Sequence, residues 1–136
     1  MNYWLVKTEP GTYGWDDLLA KGEDVWDGVR NFQARNNLNN MSVGDAVYIY
    51  HSGKKREIVG IAQVVSGPFE DPTDKESKGW VSVSLKADRK LPRPVSLEEI
   101  KDHDGLQEMA LIKQSRLSVM PLTKNEFEAI LKIATA

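Results

Sequence analysis

The stretch that most constrains the fold is EIVGIAQVVS, residues 57 to 66, a run of apolar and β-branched residues interrupted by one glutamine. Such a run reads as a strand buried on both faces, and a strand of that kind belongs in the middle of a sheet. The rest of the chain therefore has to supply neighbours for it. Tyr3 to Lys7 reads as a first strand, ended by Glu9-Pro10-Gly11, and Ala46 to His51 as another, with Val47 and Ile49 on one side and Tyr48 and Tyr50 on the other. Trp80 to Ala87 alternates as a fourth, carrying Val81, Val83 and Leu85 on one face. Arg116 to Met120 is a fifth, ended by Pro121.

Helices fill the intervals. Trp15 to Lys21 reads as a short helix with Leu18 and Leu19 on its buried face and Gly22 as its stop. Arg30 to Met41 has a sparse stripe of Ala34, Leu38 and Met41, with Asn31 placed to cap it. Ser96-Leu-Glu-Glu99 and Thr123-Lys-Asn-Glu126 are capping boxes, the second opening a helix with Phe127, Ile130, Leu131 and Ala134 in one stripe. Residues 67 to 79 are polar and rich in turn formers, and Gln107 to Ile112 is ambiguous. The sum is an α+β chain, a mixed sheet or small barrel with short helices around it. Its 136 residues make one domain, 1–136.

Enzymatic readings demand particular residues, and few are present. There are two histidines and no cysteine, too few soft or imidazole ligands for a zinc centre, so neither a metal nor another cofactor is expected. His51 and Ser52 are adjacent in sequence without a G-x-S-x-G elbow, and His103 sits between Asp102 and Asp104 as a loop residue. Gly11 and Gly14 lack the lysine and hydroxyl of a phosphate loop. The pairs Asp16-Asp17 and Glu98-Glu99 fall in first helical turns, where a carboxylate meets the positive end of the helix. No window holds the roughly 18 apolar residues of a membrane span, and the start of the chain lacks a secretory pattern. With no cysteine, the location expected is cytoplasmic.

The net charge of −2 weighs against nucleic acid, yet it hides a local excess. Between Gly28 and Arg56 the only acid is Asp45, against Arg30, Arg35, Lys54, Lys55 and Arg56. The same region holds six side-chain amides between Asn31 and Asn40, which offer the donors and acceptors that base edges present. Trp26 adds a flat face on which a base can stack. Tyr50-His51-Ser52-Gly53 and Ser115-Arg116-Leu117-Ser118 are polar strand ends of similar character, with Arg116 and Ser118 alternating away from Leu117. If these ends meet Trp26 and Asn31, they form a concave polar site with an aromatic wall.

The segments YWLVKTEP (3–10), WDGVRNFQARNNL (26–38), GDAVYIYHS (44–52), IVGIAQV (58–64), DPT (71–73) and SRLSVMPLT (115–123) closely resemble those of the EVE domain family. That resemblance spans nearly the whole chain. It implies a PUA-like mixed β pseudo-barrel surrounded by short helices, related to the YTH readers of methylated adenine. It further implies a noncatalytic reader of a modified base, a modified cytosine in DNA, with no enzymatic activity and no cofactor. The base pocket so implied comprises Lys7, Trp26, Gly28, Val29, Asn31, His51, Ser52 and Ser118. A basic face of Arg30, Arg35, Lys54, Lys55, Arg56 and Arg116 meets the backbone. Asn39 stands where many relatives have a basic residue, which weakens the expected grip on a duplex. The alternatives are a PUA-like RNA-binding module and an enzyme acting on modified nucleotides, and protein partners are not indicated.

Overall fold

The computed structural model describes residues 1–136. In chain order the elements are β1 (Tyr3–Thr8), α1 (Trp15–Lys21), β2 (Glu23–Trp26), α2 (Phe32–Asn39), β3 (Ala46–His51), β4 (Glu57–Glu70), β5 (Val81–Ser96), α3 (Leu97–Asp102), α4 (Ala110–Lys113), β6 (Val119–Leu122) and α5 (Lys124–Thr135). The strands form one six-stranded sheet in the order β2-β5-β4-β3-β1-β6. β1 runs parallel to β3, and every other pairing is antiparallel.

β4 lies inside the sheet, as its apolar run requires, and Val47 to Tyr50 of β3 are buried on both faces. On β3, the Tyr48 ring stacks on Phe127 of α5 at 4.3 Å, and its hydroxyl donates to the Phe127 carbonyl at 2.8 Å. Along α1 the buried residues are Trp15 and Leu18, whereas Leu19 is 52% exposed, contrary to the sequence expectation. Leu19 lies one turn beyond Trp15 but roughly 100° round the helix from Leu18, which puts it on the flank turned to solvent. Trp15 fits because Gly60 of β4 has no side chain: a Cβ there would lie 2.6 Å from the indole ring.

Asp45, the one acid in the basic stretch, is buried. Its carboxylate accepts from the Asn2 and Ser42 backbone N–H groups and from Trp4 Nε1 at 2.9–3.0 Å. It is a structural anchor and takes no part in the surface.

Two strands run further than their sequence suggests. β4 continues through Gly67-Pro68 to Glu70 because register shifts near Ser66 absorb the turn formers. β5 continues to Ser96 past Pro92 and Pro94. Its register jumps from Gly60↔Lys90 to Ile58↔Val95, so both prolines stand outside the ladder and no hydrogen bond is lost. Pro121 lies within β6 instead of ending it, opposite Trp4; β6 is an edge strand, where a missing N–H is tolerated. Trp26 ends the edge strand β2, a four-residue element with too few apolar residues to announce itself.

β2 and β6 do not pair with one another, so the sheet is not closed into a barrel and the expected pseudo-barrel stays open. Helix α2 touches both β5 and β6. Ala34 and Leu38 are its buried residues, and Asn37 Nδ2 donates to the Val119 carbonyl of β6 at 2.7 Å.

Candidate functional site

Where the sheet fails to close, the chain leaves a cleft of about 680 Å³. Both edges contribute to it. Lys7 and Thr8 come from the end of β1, Asp24 to Trp26 from β2, Asp27 to Asn31 from the turn after it, and Ser118 from the approach to β6. Thr12 and Tyr13 come from the loop before α1. This volume falls in the range of small-molecule sites.

The aromatic wall is a pair. Trp26 is only 8% exposed, and Tyr13 meets it edge to face at 5.9 Å. Trp26 is thus as much core as wall. The Tyr13 hydroxyl donates to Asp24 Oδ2 at 2.6 Å; burial and the nearby carboxylates push the phenol pKa well above its ordinary value. Burial pushes Asp24 upward as well, but hydrogen bonds from Tyr13, Lys21 and the Val25 N–H outweigh it and hold the carboxyl below its usual range. Asp27 makes no ion pair or hydrogen bond within the protein, so its carboxylate is a free acceptor at the rim.

The floor is held by Asp71. This buried carboxylate accepts from the Gly28 N–H at 2.8 Å, from Arg30 at 3.1 Å, and from the Thr73 N–H and hydroxyl at 2.7 Å each. Gly28 takes φ of +78°, the left-handed region that favours glycine, which turns the chain between Trp26 and α2. Asn31 caps α2, its Oδ1 accepting from the Ala34 N–H at 2.9 Å. Its amide nitrogen is left as a donor beside the cleft. Lys7 is half-buried, and burial pulls its ammonium below the ordinary lysine range. It has no carboxylate partner and donates to the Ser115 carbonyl at 2.8 Å.

Burial raises the Asp71 pKa, but the bonds from Thr73, Gly28 and Arg30 outweigh it and bring the group from 3.8 down to about 2. A depressed folded-state pKa gives stability that is complete above pH 4 and lost as the pH falls through 2, here about 2 kcal/mol. Acid unfolding curves of the wild type and Asp71→Asn should differ in slope between those limits. Parallel curves would show that the carboxylate is not held as described.

Six of the eight residues expected in the pocket come together: Lys7, Trp26, Gly28, Val29, Asn31 and Ser118. His51 and Ser52 do not join them. His51 Nε2 accepts from the Trp15 N–H at 3.0 Å, which makes His51 a brace for the start of α1. Burial depresses its pKa, partly offset by Glu57, Asp16 and Glu9, in keeping with that acceptor role. Ser52 donates through its N–H to the Thr8 carbonyl and lies in a neighbouring cleft with Lys7, Tyr50 and Arg56.

The basic residues divide similarly. Arg30 lines the cleft, but Asp71 offsets its charge. Arg116 borders a shallow cleft that shares Asn31 with the main one. Lys54, Lys55 and Arg56 occupy the β3–β4 hairpin around a separate cleft with Glu57, Glu98 and Lys101. Arg35 packs against two aromatic rings outside the cleft. Of the six amides, only Asn31 and Gln33 border any of these clefts; Asn37 is structural, and Asn39 is exposed at the end of α2. Tyr13, Asp24, Asp27 and Thr12 were not foreseen, because strand β2 and the loop that faces it were not legible.

An open mixed sheet with a polar, aromatic-walled cleft between its edge strands defines a PUA-like α+β domain. The model of the EVE domain family matches residues 2–133, and the chain belongs to that family. Thymocyte nuclear protein 1 of Mus musculus is 36% identical over 97% of this chain and 73% of its own length. A crystal structure of human THYN1 in complex with DNA containing 5-methylcytosine shares 31% identity, with a TM-score of 0.92 over 100% of this chain and 99% of that one. A crystal structure of an Agrobacterium tumefaciens protein shares 38% identity, with a TM-score of 0.96 over 98% of this chain and 93% of that one.

Proposed function

We propose that this protein binds DNA and holds a modified cytosine in the Trp26 cleft without altering it chemically. The observation that carries this reading is the cleft itself. Tyr13 and Trp26 supply an apolar wall, Asn31 and Lys7 supply donors, and Asp24 and Asp27 supply acceptors. A carboxylate accepts from the exocyclic amine of cytosine, and an amide donates to its ring acceptors. The human relative in complex with 5-methylcytosine DNA shows an EVE domain with that kind of partner, and this chain aligns with it end to end.

The ionisable groups of the cleft favour holding over reacting. The Tyr13 hydroxyl is committed to Asp24 and raised in pKa, and His51 faces α1. To enter the cleft from a duplex, a base must leave its stack at a cost of a few kcal/mol, which contacts in the cleft and with the phosphates offset. Single strands are therefore the simpler ligand.

One methyl group in an apolar pocket contributes about 1–3 kcal/mol of discrimination. Wild-type protein should bind a short single-stranded DNA with one central 5-methylcytosine roughly 10- to 200-fold more tightly than the unmethylated strand. Fluorescence anisotropy measures both affinities. Equal affinities would remove the methyl-reading role, and tighter binding of the matching RNA would favour an RNA ligand.

A further inference from the structure

One aromatic cluster lies outside the cleft and is unused by the proposed reader. Phe32, on the first turn of α2, is 66% exposed, and its ring stacks on Trp80 at 5.2 Å with 26° between the planes. The Arg35 guanidinium sits 5.0 Å from the Phe32 ring centre and 5.5 Å from that of Trp80. Arg30 covers Trp80 at 5.5 Å while also lining the cleft. The cluster is thus continuous with the cleft rim through Arg30.

The stack is not needed to hold the loop that carries Trp80. That loop is already anchored by Asp74, which accepts from the Lys78 and Trp80 N–H groups, and by the Asp71 N–H donating to the Trp80 carbonyl. A large ring left mainly in water gains little for the fold. Arg35, for its part, has no carboxylate partner. An exposed Phe32 ring beside an uncompensated guanidinium suits a nucleotide, whose base stacks and whose phosphate pairs with the arginine.

We propose that Phe32 and Trp80, flanked by Arg35, form a stacking platform for the nucleotide next to the one held in the cleft. The platform rests on the reader assignment but predicts something that assignment does not. A base beside the modified one should add affinity whatever its identity, because every base has a stacking face.

The test uses a short single-stranded DNA with a central 5-methylcytosine and the same strand with abasic sites on either side of it. Wild-type protein should bind the abasic strand roughly 5- to 150-fold more weakly. In Phe32→Ala that difference should shrink towards none, while affinity for free 5-methyl-2′-deoxycytidine stays unchanged. Phe32→Leu, which keeps bulk without a π face, should behave like Phe32→Ala. Equal wild-type affinities for the two strands would overturn the platform, as would an unreduced difference in Phe32→Ala. Loss of nucleoside binding in Phe32→Ala would also overturn it, by showing that the ring supports the cleft. Failure of the reader assignment shows separately, as equal affinity for the methylated and unmethylated strands. Absence of binding to every strand would overturn both.

Discussion

Ser118→Phe is expected to lower affinity for the methylated single strand by about 100-fold or more, the loss of roughly 3 kcal/mol of base contact. Ser118 borders the cleft, is half-buried, and its side chain makes no hydrogen bond that the fold would lose. Its neighbours Leu117 and Val119 carry the packing there, at 3% and 0% exposure. A phenyl group at position 118 occupies the space in which the base would lie, while thermal unfolding should shift by only a few tenths of a kcal/mol, as at an ordinary surface site. Titration with the methylated strand alongside a melting curve separates the two effects. Unchanged affinity in a stable Ser118→Phe protein would mean that DNA binds elsewhere.

The largest effect on stability is expected at Gly60. Its backbone is not in the left-handed region, so alanine carries no conformational penalty there and the effect is steric. The added methyl would stand 2.6 Å from the ring of Trp15, which is itself only 2% exposed and has no room to retreat. Overpacking a tight core costs about 1–3 kcal/mol, and this contact belongs at the upper end, near 3 kcal/mol. For a domain of this size that corresponds to a fall in Tm of about 10 °C. Adding Trp15→Leu to Gly60→Ala should restore part of the loss by removing the clash. A single-variant melting curve that overlays the wild type would show that the Trp15 ring does not depend on Gly60.

What the sequence made legible follows the range of the interactions involved. Caps act over three residues, so Asn31, Ser96 and Thr123 were readable, and each accepts from the backbone N–H that its spacing implied. The apolar stripe Ala34, Leu38 and Met41 was readable for the same reason, and all three residues are buried. Strand lengths depend on partners far away in sequence. β4 and β5 outran their expected ends because register shifts absorb Gly67, Pro92 and Pro94, and no local pattern reports such a shift. Leu19 was misplaced because a seven-residue helix has too few turns to define its buried face by periodicity.

The candidate site divides in the same way. Trp26, Gly28, Val29 and Asn31 fall within six consecutive positions and arrived together. His51 and Ser52 looked equivalent, as polar residues at a strand end, but a contact with Trp15 across 36 positions gives His51 a structural task. Asp24 and Asp27 carry no local pattern that marks them, and join the site only because β2 forms one side of the cleft. The basic excess also changed meaning. Asp45 does not temper it, being buried under Trp4, whereas Asp71, from a loop outside the stretch, offsets Arg30.

On the proposed function, the gap between the two sheet edges holds the modified base. Backbone amide and indole NMR shifts during titration with a single-stranded DNA carrying one 5-methylcytosine report on that gap. The expected result is saturable movement of the Gly28, Val29 and Ser118 amides and the Trp26 indole, larger than with the unmethylated strand. Movement confined to the Lys54–Arg56 hairpin, or identical for the two strands, would contradict it.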